Sequence, residues 1–219
     1  MKIHQGRILF EDEHLLAVMK LPGELVVKGA GKVEKLPLLD FLKQAYPGLR
    51  PLNRLDFETS GIVLFAKTKA MFSAMKEEYQ EKHLQKTYRA IVAGMISRSE
   101  GKISTPLPAR TGKELVPAET TYKVLERFPI ASYIEAEMKT GRFHQIRQHF
   151  AKIGHPLALD AVYGEKKYNQ MFTRNIEYKR FFLHAYKLMF VHPLTKENLT
   201  ITAPVPPAFE QALKKLRSI

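Results

Sequence analysis

The sequence predicts an α+β fold, on three observations. Strand-like runs, either alternating or unbrokenly apolar, are interspersed with stretches whose apolar residues recur at helical spacing. The two kinds do not follow the strict strand–helix–strand order that a parallel sheet requires. Of the 219 residues, 45% are hydrophobic and 26% charged, the balance of an ordinary globular chain long enough to bury a sound core. No internal repeat, low-complexity tract or linker divides the chain, so residues 1–219 are expected to form one domain.

Residues 7–10 and 15–20 read as short strands separated by the charged turn Glu11-Asp12-Glu13, and Pro22-Gly23 ends the second. Residues 36–46 place Leu38, Leu39, Leu42, Ala45 and Tyr46 on a helical stripe that Pro47-Gly48 closes. The run Ile62-Val63-Leu64-Phe65-Ala66 is a buried strand, and Thr68 caps a helix to about His83 with Met71, Met75 and Tyr79 as core. Residues 86–93 and 132–138 alternate as half-buried strands do, with Ile134, Ala136 and Met138 on one face and Glu135 and Glu137 on the other. Residues 143–153 read as a helix with Ile146, Phe150 and Ile153 inward, Gly154 as its stop, and His144 and Arg147 on one face. The segment 165–180 reads as one long irregular stretch. Its basic residues interleave with Tyr168, Phe172 and Tyr178, as suits either a surface for unpaired RNA or a plain solvated loop. Residues 181–191 and 197–202 form a strand pair across His192-Pro193, and residues 206–216 a closing helix with proline in its first turn.

Lysine and arginine exceed aspartate and glutamate by 35 − 22 = 13. The pI of about 9.8 makes nucleic acid the first partner to consider, with a basic surface kept for solubility as the bland competitor. No apolar run approaches the length of a membrane span. The absence of cysteine excludes disulfides, thiolate metal sites and cysteine nucleophiles, and fits a reducing compartment. The first residues lack the apolar core of a signal peptide, so a cytoplasmic protein is expected.

The chemistry is expected at Asn53-Arg54-Leu55-Asp56-Phe57-Glu58-Thr59-Ser60-Gly61, where an aspartate stands beside an arginine in a tight turn ahead of a buried strand. A second motif, Gly141-Arg142-Phe143-His144-Gln145-Ile146-Arg147, supplies further fixed cations. Ser60 lacks the Gly-x-Ser-x-Gly elbow of a serine hydrolase. His144 and His149 are five apart, off one helical face, and no His-Glu-x-x-His occurs, so no metal site is expected.

Arg54-Leu55-Asp56 with Thr59-Ser60-Gly61 resembles the signature of the RluA-type pseudouridine synthases. Lys86-Thr87-Tyr88 is similar to that family's Lys-x-Tyr strand, and residues 141–147 to its Gly-Arg-x-His-Gln-Ile/Leu-Arg segment. Gly154-His155-Pro156, Asp160, Tyr163-Gly164, Leu183-His184-Ala185 and His192-Pro193 follow in the family's order. The resemblance implies a curved, mostly antiparallel mixed central sheet flanked by helices, and an isomerase that detaches uracil at N1 and rejoins it through C5 without cofactor. It makes Asp56 the nucleophile, Tyr88 the face against which the extruded base packs and the relay for its C5 proton, and Arg147 the counter-ion. Burial would neutralise a carboxylate that no cation opposed, and a guanidinium can grip one through paired hydrogen bonds. By the same resemblance Arg54 fills the hole left by the flipped base, and Asn53, Arg142, His144 and Gln145 are expected to contact RNA.

This sequence departs from the family at Asn53, where histidine is usual, at Pro22, one place beyond the family's proline, and at Leu159, where glycine is common. Only some six residues precede the first strand, so no S4-type RNA-binding module is expected. The expected partner is a stem-loop of transfer or ribosomal RNA bound by a monomer. The rival readings are a non-catalytic RNA-binding protein on the same scaffold, and a nuclease or glycosidase, for which Glu58 is the only nearby second acid.

Overall fold

The computed structural model describes residues 5–29, 36–80, 84–109, 114–138 and 140–219. Its strands are β1 (Ile8–Glu11), β2 (Leu15–Lys20), β3 (Arg50–Pro51), β4 (Ser60–Ala66), β5 (Gln85–Ala93), β6 (Glu100–Ile103), β7 (Leu107–Pro108), β8 (Leu115–Val116), β9 (Thr120–Arg127), β10 (Ala131–Met138), β11 (Leu183–Val191) and β12 (Asn198–Thr202). Its helices are α1 (Leu38–Leu42), α2 (Lys69–Gln80), α3 (Gln145–Lys152), α4 (Lys166–Ile176) and α5 (Pro207–Leu216). The pairings β1–β2, β2–β4, β3–β4, β11–β12, β5–β10, β9–β10, β6–β9 and β7–β8 are antiparallel, in keeping with the expected mostly antiparallel sheet. The chain groups into two compact units, residues 1–85 with 185–204 and residues 86–184 with 205–219.

In the first unit β2 and β4 pair without a break from Leu15↔Ala66 to Lys20↔Gly61, and all their residues are buried. Apart from Lys20 and Ser60 they read as apolar runs, because both faces are covered. One face packs Leu15, Ala17, Ile62 and Leu64 against Met71, Met75, Leu188 and Phe190. The other packs Leu16, Val18, Val63 and Phe65 against Leu38, Leu39 and Leu42 of α1. The β1–β2 turn is fixed by Asp12, whose Oδ1 accepts from the N–H groups of His14 and Leu15 at 2.7 and 2.6 Å. Thr68 caps α2 as its sequence implies, its Oγ1 accepting from Met71 N at 3.1 Å. Tyr79 and the expected extension to His83 fall outside the described side chains and residues. Helix α1 stops short of the expected Tyr46, because Pro47 disfavours helical backbone in the residue before it and Gly48 turns at φ +80°.

In the second unit β5 pairs with β10 from Lys86↔Met138 to Ala93↔Ala131, and β9 and β6 extend the sheet. Ile134 and Ala136 are buried while Glu137 is exposed, as the alternation implies. Glu135 faces Arg89 across the strands and bridges it at 2.8 Å. The apolar core beneath gathers Ile91, Phe128, Phe172, Phe182, Phe209 and Leu213.

Two expectations need correction here. Segment 165–180 is not irregular: residues 166–176 form α4, with Phe172 fully buried and Ile176 at 5% exposure. Tyr168, Phe172 and Ile176 are four apart and share the core face; the Tyr168 hydroxyl donates to Ile130 O at 2.8 Å and Phe172 packs edge-on to Phe182. These rings serve packing, and the surface of α4 shows Lys166, Lys167 and Arg174. The second correction is at α3, which begins at Gln145 because His144 takes the left-handed conformation at φ 50°, ψ 31°. Ile146 and Phe150 point inward, but Ile153 lies past the last turn and is exposed. Gly154 ends the helix at φ +82°.

The Thr68 cap is testable: Thr68→Ala is expected to lower unfolding stability by about 1 kcal/mol in urea titrations, with an unchanged midpoint contradicting the assignment.

Candidate active site

Asp56 opens a four-residue turn between β3 and β4, closed by Thr59 N donating to Asp56 O at 3.2 Å. A buried lysine holds that turn. Lys20, at the end of β2, is fully buried, and its Nζ donates to Leu21 O, Phe57 O and Thr59 O at 3.1, 3.0 and 2.6 Å. The three hydrogens of an ammonium match these three carbonyls, whose dipoles offset the loss of hydration. Gly23 N adds a second donor to Phe57 O at 2.8 Å, and Gly23 reaches it at φ +82°. On the far side of the turn, Gly61 has φ +114°, and a Cβ there would collide with the backbone of Ala185. Gly61 therefore shapes the turn. The Thr59 hydroxyl is buried with no hydrogen-bond partner among the described residues.

Asn53 points its amide at β4. Its Nδ2 donates to Ile62 O at 3.1 Å and its Oδ1 accepts from Leu64 N at 2.7 Å, so the side chain stands in for a strand neighbour. Arg54, next along the chain, is exposed, and no ion pair joins it to Glu58 among the described residues.

In the second unit Tyr88 lies on β5 opposite Ala136 with 7% exposure. Lys86, two residues earlier on the same strand face, is pulled down to about 8 by burial. Arg147 sits on α3 at 5% exposure, and its guanidinium is gripped by Asp160, which is fully buried. Nε donates to Oδ2 at 2.7 Å and Nη2 to Oδ1 at 3.0 Å, the paired geometry a lysine cannot reproduce. The guanidinium carbon lies 4.6 Å from the ring centre of Phe181 and 5.1 Å from that of Tyr163. Burial alone would raise the Asp160 carboxyl. The hydrogen bonds from Arg147 and from the N–H groups of Val162 and Tyr163 outweigh it and hold the group below the ordinary aspartate range.

Leu159, where the family resemblance suggests glycine, takes φ +68°, and its 6% exposure shows that packing holds a conformation leucine rarely adopts. Gly164 is required by space, since a Cβ would come within 2.5 Å of Asp160 O.

Gln145 has an internal task. At 2% exposure its Nε2 donates to Glu119 O and Thr120 Oγ1, while its Oε1 accepts from Thr140 Oγ1 and Arg142 N. Its amide is thus used within the protein, where it holds the 140–142 turn. His149 lies between Thr120 Oγ1 and Thr105 O, and burial lowers its pKa, so it stays neutral. Among the described residues no group of histidines and acids could hold a metal, and no helix is long and apolar enough to cross a membrane. Arg142 and His144 remain at the surface, Arg142 exposed and His144 partly so.

Residues 14–152 match the RNA pseudouridylate synthase family. The ribosomal large subunit pseudouridine synthase C of Escherichia coli K12 is 35% identical over 96% of this chain and 70% of its own length. Those of Vibrio vulnificus and Pasteurella multocida are 35% and 37% identical over 98% and 97% of this chain, and 70% and 68% of their own lengths. The chain belongs to the RNA pseudouridylate synthase family. It is an isomerase that converts uridine in RNA to pseudouridine. The fold agrees: the solved structure of human RNA Pseudouridylate Synthase Domain Containing 4 superposes with a TM-score of 0.81 over 96% of this chain and 92% of that one, at 23% identity.

The sequence places Asp160 within a motif and Lys20 at the end of a strand but gives neither a task. The signal for Asp160 was its position 13 residues beyond an inward arginine. That for Lys20 was a lysine ending an otherwise apolar strand.

Because Asp160 titrates lower folded than unfolded, its contribution is full above the ordinary aspartate value near 4 and is lost as pH falls through the folded pKa. Asp160→Asn is expected to cost about 3–5 kcal/mol at pH 7 in urea unfolding, since it leaves a buried guanidinium uncompensated. The gap to wild type should shrink as pH is lowered from 4 toward 2, and a pH-independent gap would contradict the ion pair.

Proposed function

We propose that this chain modifies large-subunit ribosomal RNA, with Asp56 as the reacting carboxylate. The observation that carries the substrate is the 35–37% identity, over almost the whole chain, to enzymes whose names specify that RNA. In this reading the target uridine is flipped from its helix, at a cost of a few kcal/mol that is smallest in loops, and the planar head of Arg54 occupies the gap. The N1–C1′ bond breaks with help from Asp56, at C1′, at C6 or through a glycal. The freed uracil turns, C5 bonds to C1′, and the C5 proton leaves through the Tyr88 hydroxyl, which passes its own proton on, so that one proton is lost from C5 and one is gained at N1. Tyr88 also bounds the flat pocket for the base.

In this reading Arg147 supplies a permanent positive charge to the reaction. Its fixed orientation against Asp160 supports this role, because a preorganised cation needs no rearrangement during the reaction. Arg142 and His144 contact the RNA. Asn53 and Gln145 act instead through the turns they brace. The reaction takes place in the cytoplasm.

Position-resolved pseudouridine mapping of total RNA from cells with and without the chain tests the substrate. The expected result is the loss of signal at uridines of the large ribosomal RNA; loss confined to transfer RNA would overturn that assignment. Asp56→Asn is expected to abolish pseudouridine formation while RNA affinity, measured by filter binding, stays unchanged. Retained turnover would remove Asp56 from the chemistry.

A further inference from the structure

Phe143 holds the position that the Gly-Arg-x-His-Gln-Ile-Arg motif leaves open, and it is 56% exposed. It is also rigidly mounted. Its ring stacks on His144 with centroids 3.6 Å apart and planes 22° from parallel. His144 Nδ1 is hydrogen-bonded to the Tyr163 hydroxyl at 3.1 Å, and the Tyr163 ring meets that imidazole edge-on. Tyr163 in turn lies beside the Arg147 guanidinium, and its N–H donates to Asp160. Gln148 Nε2 fixes the Phe143 carbonyl at 2.7 Å, and Gln145 fixes the turn before it.

The arrangement is costly by itself. His144 is a non-glycine residue in left-handed backbone, and a large apolar ring is kept in water rather than turned into the core. A rigid, exposed aromatic face suits a flat partner, because little side-chain freedom remains to be lost on stacking. The charge around it specifies which. Between Glu137 and Asp160 the sequence contains Lys139, Arg142, Arg147 and Lys152 and no acid, so a polyanion is favoured there and a second basic surface is not.

We propose that Phe143, backed by His144, is a stacking site for an unpaired base of the RNA substrate, a neighbour of the target uridine and not the uridine itself. The site selects RNAs that present such a base. It rests on the chain acting on RNA and not on which RNA class it modifies. Phe143 lies on the turn just before α3, one helical turn from Arg147, so a base stacked there belongs to the same bound RNA segment. Stacking of a base on an aromatic ring tolerates any base identity, so Phe143 contributes to the choice of RNA shape more than sequence.

The test uses total RNA from cells lacking the chain, which contains the target uridine whatever its class. Pseudouridine formation is followed with wild type, Phe143→Ala and Phe143→Trp, each confirmed as folded by its thermal midpoint. Phe143→Ala is expected to raise the apparent KM about tenfold with kcat nearly unchanged, and Phe143→Trp to restore it. A photoreactive phenylalanine analogue at position 143 should crosslink to one unpaired nucleotide within a few positions of the modified uridine. An unchanged KM for Phe143→Ala, a loss in kcat alone, failure of tryptophan to rescue, or crosslinks confined to protein or to paired nucleotides would each overturn the assignment.

Discussion

Three backbone carbonyls converge on the amine of one buried lysine, and the turn that carries Asp56 takes its shape from that convergence. The turn is short, lies between β3 and β4, and is closed by a backbone bond from Thr59 to Asp56. Left to local forces such a turn would sample many conformations. Lys20 ties the carbonyls of Phe57 and Thr59 to the end of β2, which is paired residue by residue with β4. The position of the Asp56 backbone is thus set by the strand pair, and Gly23 and Gly61 supply the conformations that a side chain would forbid.

The second unit uses a permanent cation in a similar way. Arg147 is held by Asp160 through two hydrogen bonds and flanked by two rings, so its orientation is settled before any substrate arrives. A carboxylate must remain charged to assist in breaking a glycosidic bond, and a fixed guanidinium can stabilise that charge without reorganising. The same ion pair extends outward through Tyr163 and His144 to Phe143, joining the inside of the unit to its surface. Removing Asp160 therefore disturbs more than one hydrogen bond: it loosens the loop at Val162 and Tyr163 as well.

Elements with strong periodicity were legible in the sequence. The runs forming β2 and β4 are apolar but for Lys20 and Ser60 at one end, the Thr68 cap sits three residues ahead of the Met71 amide that it accepts from, and Pro207 opens α5 as proline does in a first helical turn. In residues 165–180 charge and aromatic content mask the helical spacing, which Tyr168, Phe172 and Ile176 carry at intervals of four. The start of α3 was invisible because nothing in the residue types announces a left-handed histidine. Strand β9 was hard to read for a related reason: Thr120 and Val124 are buried but Leu125 is exposed, and the bulge opposite Tyr133 and Ile134 breaks the alternation. At the site, motifs located the residues but not their tasks. Asn53 and Gln145 are polar residues within functional motifs, and only hydrogen-bond geometry shows that their amides brace the backbone.

The most direct measurement is residue-resolved amide hydrogen exchange in wild type and Lys20→Met, a substitution that keeps the volume and removes the three donors. If the lysine fixes the turn, the Gly23 and Thr59 amides exchange faster in the variant by about tenfold or more, each exposed carbonyl costing about 1–3 kcal/mol, while the β4 amides keep their protection. Unchanged protection at Gly23 and Thr59, or equal acceleration along all of β4, would show that the turn is held by something other than Lys20.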